Sequence, residues 1–300
     1  MKSGFIGIIG RPNVGKSTLM NALVGEKIAI TTEKPQTTRN QIRGILNTES
    51  GDGEAVQMVF IDTPGIHNGK NKLGKAMTET AISAFREADL VLFITDDFID
   101  RGPGDRNIIS LLNQADTPKL ALINKTDTMS PEKYLSIYRE YEELKIFDGV
   151  YGISALEGNG VNELLPEMAS LLPDDPAYFP SDMLTDRSER FMISEIIREK
   201  LLEYLSDEVP HGTAVQVERF EELDNRINIS CVIYCEKKSH KAIIIGKGGR
   251  KLKGVGKAAR KEFEALLGIK IYLQLWVKVR ENWRDREIDL LNLGYRKDKI

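Results

Sequence analysis

Cysteine is nearly absent: the 300 residues hold two, Cys231 and Cys235. Two thiols make no disulfide framework, so stability has to come from hydrophobic cores. On an expected strand, a spacing of four residues puts both thiols on one face. With His240 they form an incomplete zinc set at unsuitable spacing, and they read as packed thiols. Long apolar runs are also missing. None approaches the roughly 20 residues of a membrane span, and the N-terminus enters a strand directly instead of a charged-then-apolar leader. A reducing, cytoplasmic setting follows, with a peripheral contact at the inner membrane face left open.

Net charge is scarce too, at −3, but it is unevenly divided. Residues 237–300 carry 18 Lys and Arg against 7 Asp and Glu, while residues 1–236 carry 24 against 38. A basic block on an acidic body points to an anionic partner, and nucleic acid is the commonest. The alternative is a solvated basic face. The length suggests about two domains. Pro173-Asp174-Asp175-Pro176-Ala177-Tyr178-Phe179-Pro180-Ser181-Asp182 cannot continue the helix expected over Val161 to Leu172. The boundaries read as a first domain over 1–173, a linker over 174–189 and a second domain over 190–300 that ends in a helix or tail.

Gly10-Arg11-Pro12-Asn13-Val14-Gly15-Lys16-Ser17 fits the phosphate loop G-x-x-x-x-G-K-[ST]. It follows the apolar run Gly4 to Ile9 and precedes Thr18-Leu19-Met20-Asn21-Ala22-Leu23, which reads as a helix. Glycines let successive N–H groups curl toward phosphate oxygens, and the helix N-terminus adds partial positive charge. Lys16 reaches the outer phosphates and the Ser17 hydroxyl binds Mg²⁺. Without its strand and helix, the match would be an ordinary glycine-rich turn.

Asp62-Thr63-Pro64-Gly65 follows the run Val56 to Ile61, so a carboxylate stands at a strand's C-terminal end, where open α/β sheets bind ligands. Asp62 can hold Mg²⁺ through a water, and the Gly65 N–H can meet a γ-phosphate. Asn124-Lys125-Thr126-Asp127 follows Lys119 to Ile123. A carboxylate accepts two bonds, which guanine offers side by side and adenine does not, so Asp127 selects guanine. An adenine would strand that carboxylate at a cost of about 1–3 kcal/mol. Lys125 can lay its stem over the base. Ser154-Ala155-Leu156 can offer backbone N–H to guanine O6. Singly these are strand-end turns; four in order, each after an apolar strand, are a nucleotide site. The fold expected is a mostly parallel six-stranded sheet with helices on both faces.

These residues resemble the Ras-like, translation-factor-class GTPases. The resemblance implies that a threonine in the loop Glu33-Lys34-Pro35-Gln36-Thr37-Thr38-Arg39 closes on Mg²⁺ and γ-phosphate, with Thr38 the first choice and Thr37 the second. It makes Lys16, Thr38 and Gly65 the catalytic set, and Gly10, Asn13 to Thr18, Asn124, Lys125, Asp127 and Ser154 to Leu156 the nucleotide contacts. One departure stands out. Ile66 occupies the place of the glutamine that orients the attacking water in Ras-like enzymes, so intrinsic hydrolysis is expected to be slow. In some relatives without that glutamine, an asparagine at the place of Asn13 helps hold K⁺. An asparagine tolerated in a tight loop is the plainer alternative.

After the linker, Arg190 to Leu205 has helical periodicity, Thr213–Leu223 and Arg226–Cys235 alternate around Asp224-Asn225 as a hairpin, and Lys270–Val279 alternates again. Between them lie Gly246-Lys247-Gly248-Gly249 and a cationic helical stretch. The order read from the chain is α-β-β, glycine loop, α-α-β. This resembles a type II KH domain, an α+β fold whose loop clamps about four nucleotides. The resemblance implies RNA contacts from Ile245, Gly246, Lys247, Gly248, Gly249, Arg250, Lys251 and Lys253. Beside the loop, Ile243-Ile244-Ile245 and the strands can form an apolar floor for bases.

The two halves together resemble the bacterial Era family of GTPases over nearly the whole chain. That resemblance implies a GTP switch that binds small-subunit ribosomal RNA near its 3′ end and acts in assembly of the small ribosomal subunit. Its switch loops would span about Ile28 to Arg43 and Ile66 to Phe85. Two other classes stay open: a signalling GTPase with a protein or membrane partner, and an RNA-binding protein in which GTP is structural.

Overall fold

The chain starts with β1 (Lys2–Ile9) and α1 (Lys16–Val24), followed by β2 (Ile42–Glu49), β3 (Ala55–Asp62), α2 (Lys72–Arg86), β4 (Leu90–Thr95), α3 (Pro103–Asn113), β5 (Lys119–Ile123), α4 (Pro131–Glu143), β6 (Gly149–Gly152) and α5 (Leu164–Leu171). The rest comprises α6 (Glu189–Tyr204), β7 (Ala214–Leu223), β8 (Arg226–Cys235), α7 (Lys238–Ile245), α8 (Arg250–Leu267), β9 (Lys270–Val279) and α9 (Glu287–Asn292). The structure is a computed structural model. It describes residues 1–32, 34, 37–65, 71–98 and 103–295, with backbone alone at 103–105. The chain divides into two compact units. One is Met1–Ala29, Thr38–Gly69 and Met77–Asp186; the other is Ile30–Thr37, Lys70–Ala76 and Arg187–Ile300.

The first unit holds a six-stranded sheet in the order β2-β3-β1-β4-β5-β6. Only β2 runs antiparallel, against β3. Every residue of β4 and β5 is buried, as strands covered on both faces must be. On one face, Val91, Phe93, Ala121 and Ile123 pack with Ile108 and Leu112 of α3 and Ile137 and Tyr141 of α4. Because β1, β3, β4 and β5 are parallel, their C-terminal ends open on one edge, and all the nucleotide motifs leave from that edge. Residues 173–186 are bonded to this unit. The buried Gln57 amide accepts from Tyr178 N (2.7 Å) and Phe179 N (3.0 Å) and donates to Phe179 O (2.8 Å). Arg43 pairs with Asp186 at 3.0 Å.

The second unit holds the sheet β7-β8-β9, with β7 antiparallel and β9 parallel to β8. Its core joins Ile196, Ile197 and Leu201 of α6 to Cys231 and Ile233 of β8 and to Val255, Ala259 and Phe263 of α8. Cys231 and Cys235 are fully buried in it, and burial pushes the Cys231 thiol up to about 12. The glycine loop sits between α7 and α8, not ahead of both helices. Gly246 (φ 71°, ψ 169°) stops α7 with its N–H on Ala242 O, a positive-φ ending that favours glycine and that the apolar run before it does not advertise. Thr31, Lys34 and Thr37 are bonded to α6 and to Leu205 just after it. Thr31 N donates to Glu199 Oε1 (3.0 Å), Lys34 Nζ donates to the Leu202 and Leu205 carbonyls, and Arg198 donates to Thr37 O.

Candidate nucleotide site and glycine loop

The phosphate loop is shaped by two left-handed residues, Asn13 (φ 65°) and Gly15 (φ 103°). A Cβ on Gly15 would lie 2.2 Å from Asn124 Nδ2, so no other residue fits there. Lys16 is buried, with Nζ 3.2 Å from Gly10 O and 2.7 Å from Arg11 O. Burial pushes its ammonium down to about 8, while Asp62 opposes the shift.

Three oxygens converge beside Lys16. Ser17 Oγ donates to Asp62 Oδ2 at 2.6 Å, lies 2.8 Å from Thr38 Oγ1, and Thr38 Oγ1 donates to the same Asp62 oxygen at 3.2 Å. Asp62 is fully buried, which raises its pKa, and its second oxygen, Oδ1, has no hydrogen-bond partner. Two hydroxyls and a buried carboxylate with a spare oxygen are a hard-oxygen set of the kind Mg²⁺ prefers. The two threonines are separated by the fold. Thr37 Oγ1 is turned to Lys34 O (2.6 Å) and Thr32 Oγ1 (2.8 Å), and Thr38 is the one beside Ser17. Gly65 lies against Pro12, its Cβ position 2.8 Å from Pro12 N. Ile66 falls outside the described residues.

Asn124 braces the site. Its amide donates to Val14 O (2.7 Å) and accepts from Ala155 N (2.9 Å), tying the phosphate loop to the loop after β6. Ser154 N is spent on Asn159 O (2.9 Å), so of the three N–H groups expected for guanine O6, two already serve the protein and Leu156 carries the third. Leu156 is 78% exposed. Lys125, left-handed at φ 63°, donates to Asn13 O (2.9 Å) and to Asp96 Oδ2 (2.6 Å). Asp127 is exposed on the next turn. Asp96 escapes a motif search: it pairs with both Lys125 and Arg11 (3.2 Å), and its only sequence signal is its place directly after the strand β4.

In the second unit the glycine loop is a turn with Gly246, Gly248 and Gly249 at φ 71°, 62° and 76°. Nothing lies within 4 Å of a Cβ placed on Gly248 or Gly249, so the backbone there is open to a ligand. Lys247, Arg250, Lys251 and Lys253 are exposed around it, at the N-terminal end of α8. Ile244 is fully buried in the core, which removes it from the expected apolar floor; Ile243 is exposed and Ile245 packs partly against the core. Helical geometry is the reason, since consecutive residues of α7 point in different directions. Among the described residues no cluster of His, Cys, Asp and Glu suits a metal, and no helix is long and apolar enough to cross a membrane.

A family model described as a 50S ribosome-binding GTPase matches residues 5–125, and a KH-domain model matches residues 208–284. GTPase Era of Alkaliphilus metalliredigens is 52% identical over 296 residues, covering 98% of this chain and 99% of the relative. GTPase Era of Clostridioides difficile is 51% identical over 297 residues, covering 98% of each chain. Among solved structures, an Aquifex aeolicus Era variant bound to GDP and AlF4⁻ superposes with a TM-score of 0.93 at 37% identity, over 99% of this chain and 100% of the other. An Era complex with MgGDPNP and nucleotides 1506–1542 of 16S ribosomal RNA matches with the same TM-score, identity and coverage. With the phosphate loop, the guanine motif and the glycine loop in place along its whole length, the chain belongs to the Era family of GTPases.

Proposed function

We propose that this GTPase is a switch that holds single-stranded small-subunit ribosomal RNA near its 3′ end during assembly of the small ribosomal subunit, and that GTP governs that hold. Residues 1–173 carry the nucleotide chemistry and residues 190–300 the RNA contact, joined by 174–189. The observation that carries this reading is the convergence of Ser17, Thr38 and Asp62 beside a buried Lys16. These oxygens would hold Mg²⁺, with Asp62 acting through a water; the ion supplies charge against the phosphates. Lys16 adds charge on the outer phosphates, the Gly65 N–H meets the γ-phosphate, and Asp127 accepts two bonds from guanine. Leu156 N–H is the donor left for guanine O6.

The coupling has local support. Thr38 belongs to the nucleotide cluster, whereas Thr37, its neighbour in sequence, has its carbonyl on Arg198 of α6. Release of Thr38 after hydrolysis therefore bears on a segment bonded to α6, the order–disorder device of GTPase switches. The RNA partner is supported by the open glycine loop, its four exposed cations and the complex of the structural relative with 16S RNA. With Ile66 after Gly65, water is oriented without a glutamine. We assign to Asn13, exposed on the rim of the phosphate loop, an oxygen for K⁺. We place the protein in the cytoplasm, with any membrane contact peripheral.

Crosslinking the protein to total cellular RNA and sequencing the bound fragments tests the partner. Reads gathered at the 3′ end of small-subunit RNA are expected. Reads spread without preference, or none, contradict it and favour a signalling switch.

A further inference from the structure

The strand β9 alternates cleanly. Ile271, Leu273, Leu275 and Val277 face the core, and Lys270, Tyr272, Gln274, Trp276 and Lys278 are exposed on the opposite face of the sheet. Tyr272 is 52% and Trp276 56% exposed, more than Tyr178 and Tyr204 (43% each), and the two share one face of one strand, an amphipathic ring surface of the kind found at interfaces. They stand four residues apart on one strand, about 13 Å, so each can take a separate base. Gln274 lies between them and donates to Tyr272 Oη at 3.1 Å.

Charge accompanies the rings. The Arg226 guanidinium lies over the Tyr272 ring, 6.0 Å from its centroid, and pairs in register with Lys270. Neither cation forms an ion pair among the described residues. Two open clefts flank the ring: one of about 650 Å³ with Arg226, Arg260 and Lys270 on its wall, the other of about 200 Å³ with Arg219, Arg226 and Gln274. Arg219 and Arg260 are shared with Glu221 (2.8 Å) and Glu264 (4.0 Å), while Arg226 and Lys270 are exposed beside the ring. Aromatic faces with exposed cations beside them suit stacked bases and their phosphates. The position is not the glycine loop. From Arg250 at the start of α8 to Glu264 on the cleft wall is about 21 Å of helix.

We propose that the outer face of β9 is a second RNA surface, where Tyr272 and Trp276 stack unpaired bases and Arg226 and Lys270 meet the flanking phosphates. This rests on the reading of the second unit as an RNA module. It gives the protein a grip on a longer single strand than the roughly four nucleotides a glycine loop clamps.

Trp276 reports on this directly. Trp283, the only other tryptophan, is fully buried, so stacking should quench the exposed one. Full-length protein is titrated with single-stranded small-subunit RNA of about 12 nucleotides, a length within the usual range for stacking platforms, and with a piece of about four. The longer RNA is expected to quench emission. Tyr272→Ala with Trp276→Ala is expected to weaken the longer RNA about tenfold or more, with the short one and GTP hydrolysis unchanged. Tyr272→Phe with Trp276→Phe restores most of the affinity. No quench, together with unchanged affinity of the alanine variant for the longer RNA, overturns the proposal while leaving the glycine-loop reading intact if Gly248→Asp still abolishes binding. A wild-type protein that binds neither RNA overturns both.

Discussion

Ser17 Oγ and Asp62 Oδ2 lie 2.6 Å apart, with Thr38 Oγ1 within hydrogen-bond reach of both. The three residues come from the start of α1, the end of β3 and the loop before β2, so only the folded sheet brings them together. Thr38→Ala is expected to lower GTP hydrolysis about tenfold or more with GDP affinity little changed, as loss of an interaction made mainly in the transition state should. Thr37→Ala, whose hydroxyl serves Lys34 O, should stay within about threefold. Single-turnover hydrolysis of the two variants checks the assignment; equal losses contradict it.

The guanine reading turns on Asp127. Asp127→Asn exchanges an acceptor for a group that suits the 2-oxo of xanthine better than the 2-amino of guanine. GTP affinity should fall about tenfold or more, which is 1.4 kcal/mol, and xanthosine triphosphate should recover part of it. A variant that still prefers GTP sinks the assignment.

At the glycine loop, Gly248→Asp adds a negative side chain where phosphate must approach, and its Cβ meets nothing within 4 Å. Aspartate tolerates the left-handed backbone better than most residues, so the fold should survive. RNA affinity should collapse and GTP affinity should not change. Neutralising Lys251 and Lys253 should instead weaken RNA binding moderately and flatten its log–log salt slope by about one unit for each phosphate left without its cation.

Much of this was legible in sequence because the chemistry demands fixed spacing. A phosphate loop needs its glycines and Lys16 in register, and β8 and β9 show a period of two over ten residues each. Interactions that form only at long range were not legible. Asp96 has no motif around it, yet it holds Arg11 and Lys125. The Ile243-Ile244-Ile245 run looks apolar throughout, and only the helical turn of α7 decides that Ile244 goes inside. The bonds of Thr31 and Thr37 to α6 join residues about 160 apart, which no local pattern announces.

Burial of Cys231 has a pH signature. Its thiol titrates at about 12 in the folded protein against 9.0 ordinarily, because burial disfavours the thiolate. The folded state therefore binds more protons between these values, and stability falls as pH rises through that window. Chemical denaturation of wild type and Cys231→Ala at pH 8 to 11 isolates the contribution. The gap between them should close as pH rises; a constant gap contradicts the burial account.

In the proposed switch, GTP governs the hold on RNA. The direct measurement is the affinity of full-length protein for the 3′ segment of small-subunit RNA with a non-hydrolysable GTP analogue, with GDP and with no nucleotide. Clearly tighter binding is expected with the analogue than in the other two states, together with loss of that difference in Thr38→Ala. Equal affinity in all three states would contradict it and leave GTP a structural ligand of an RNA-binding protein.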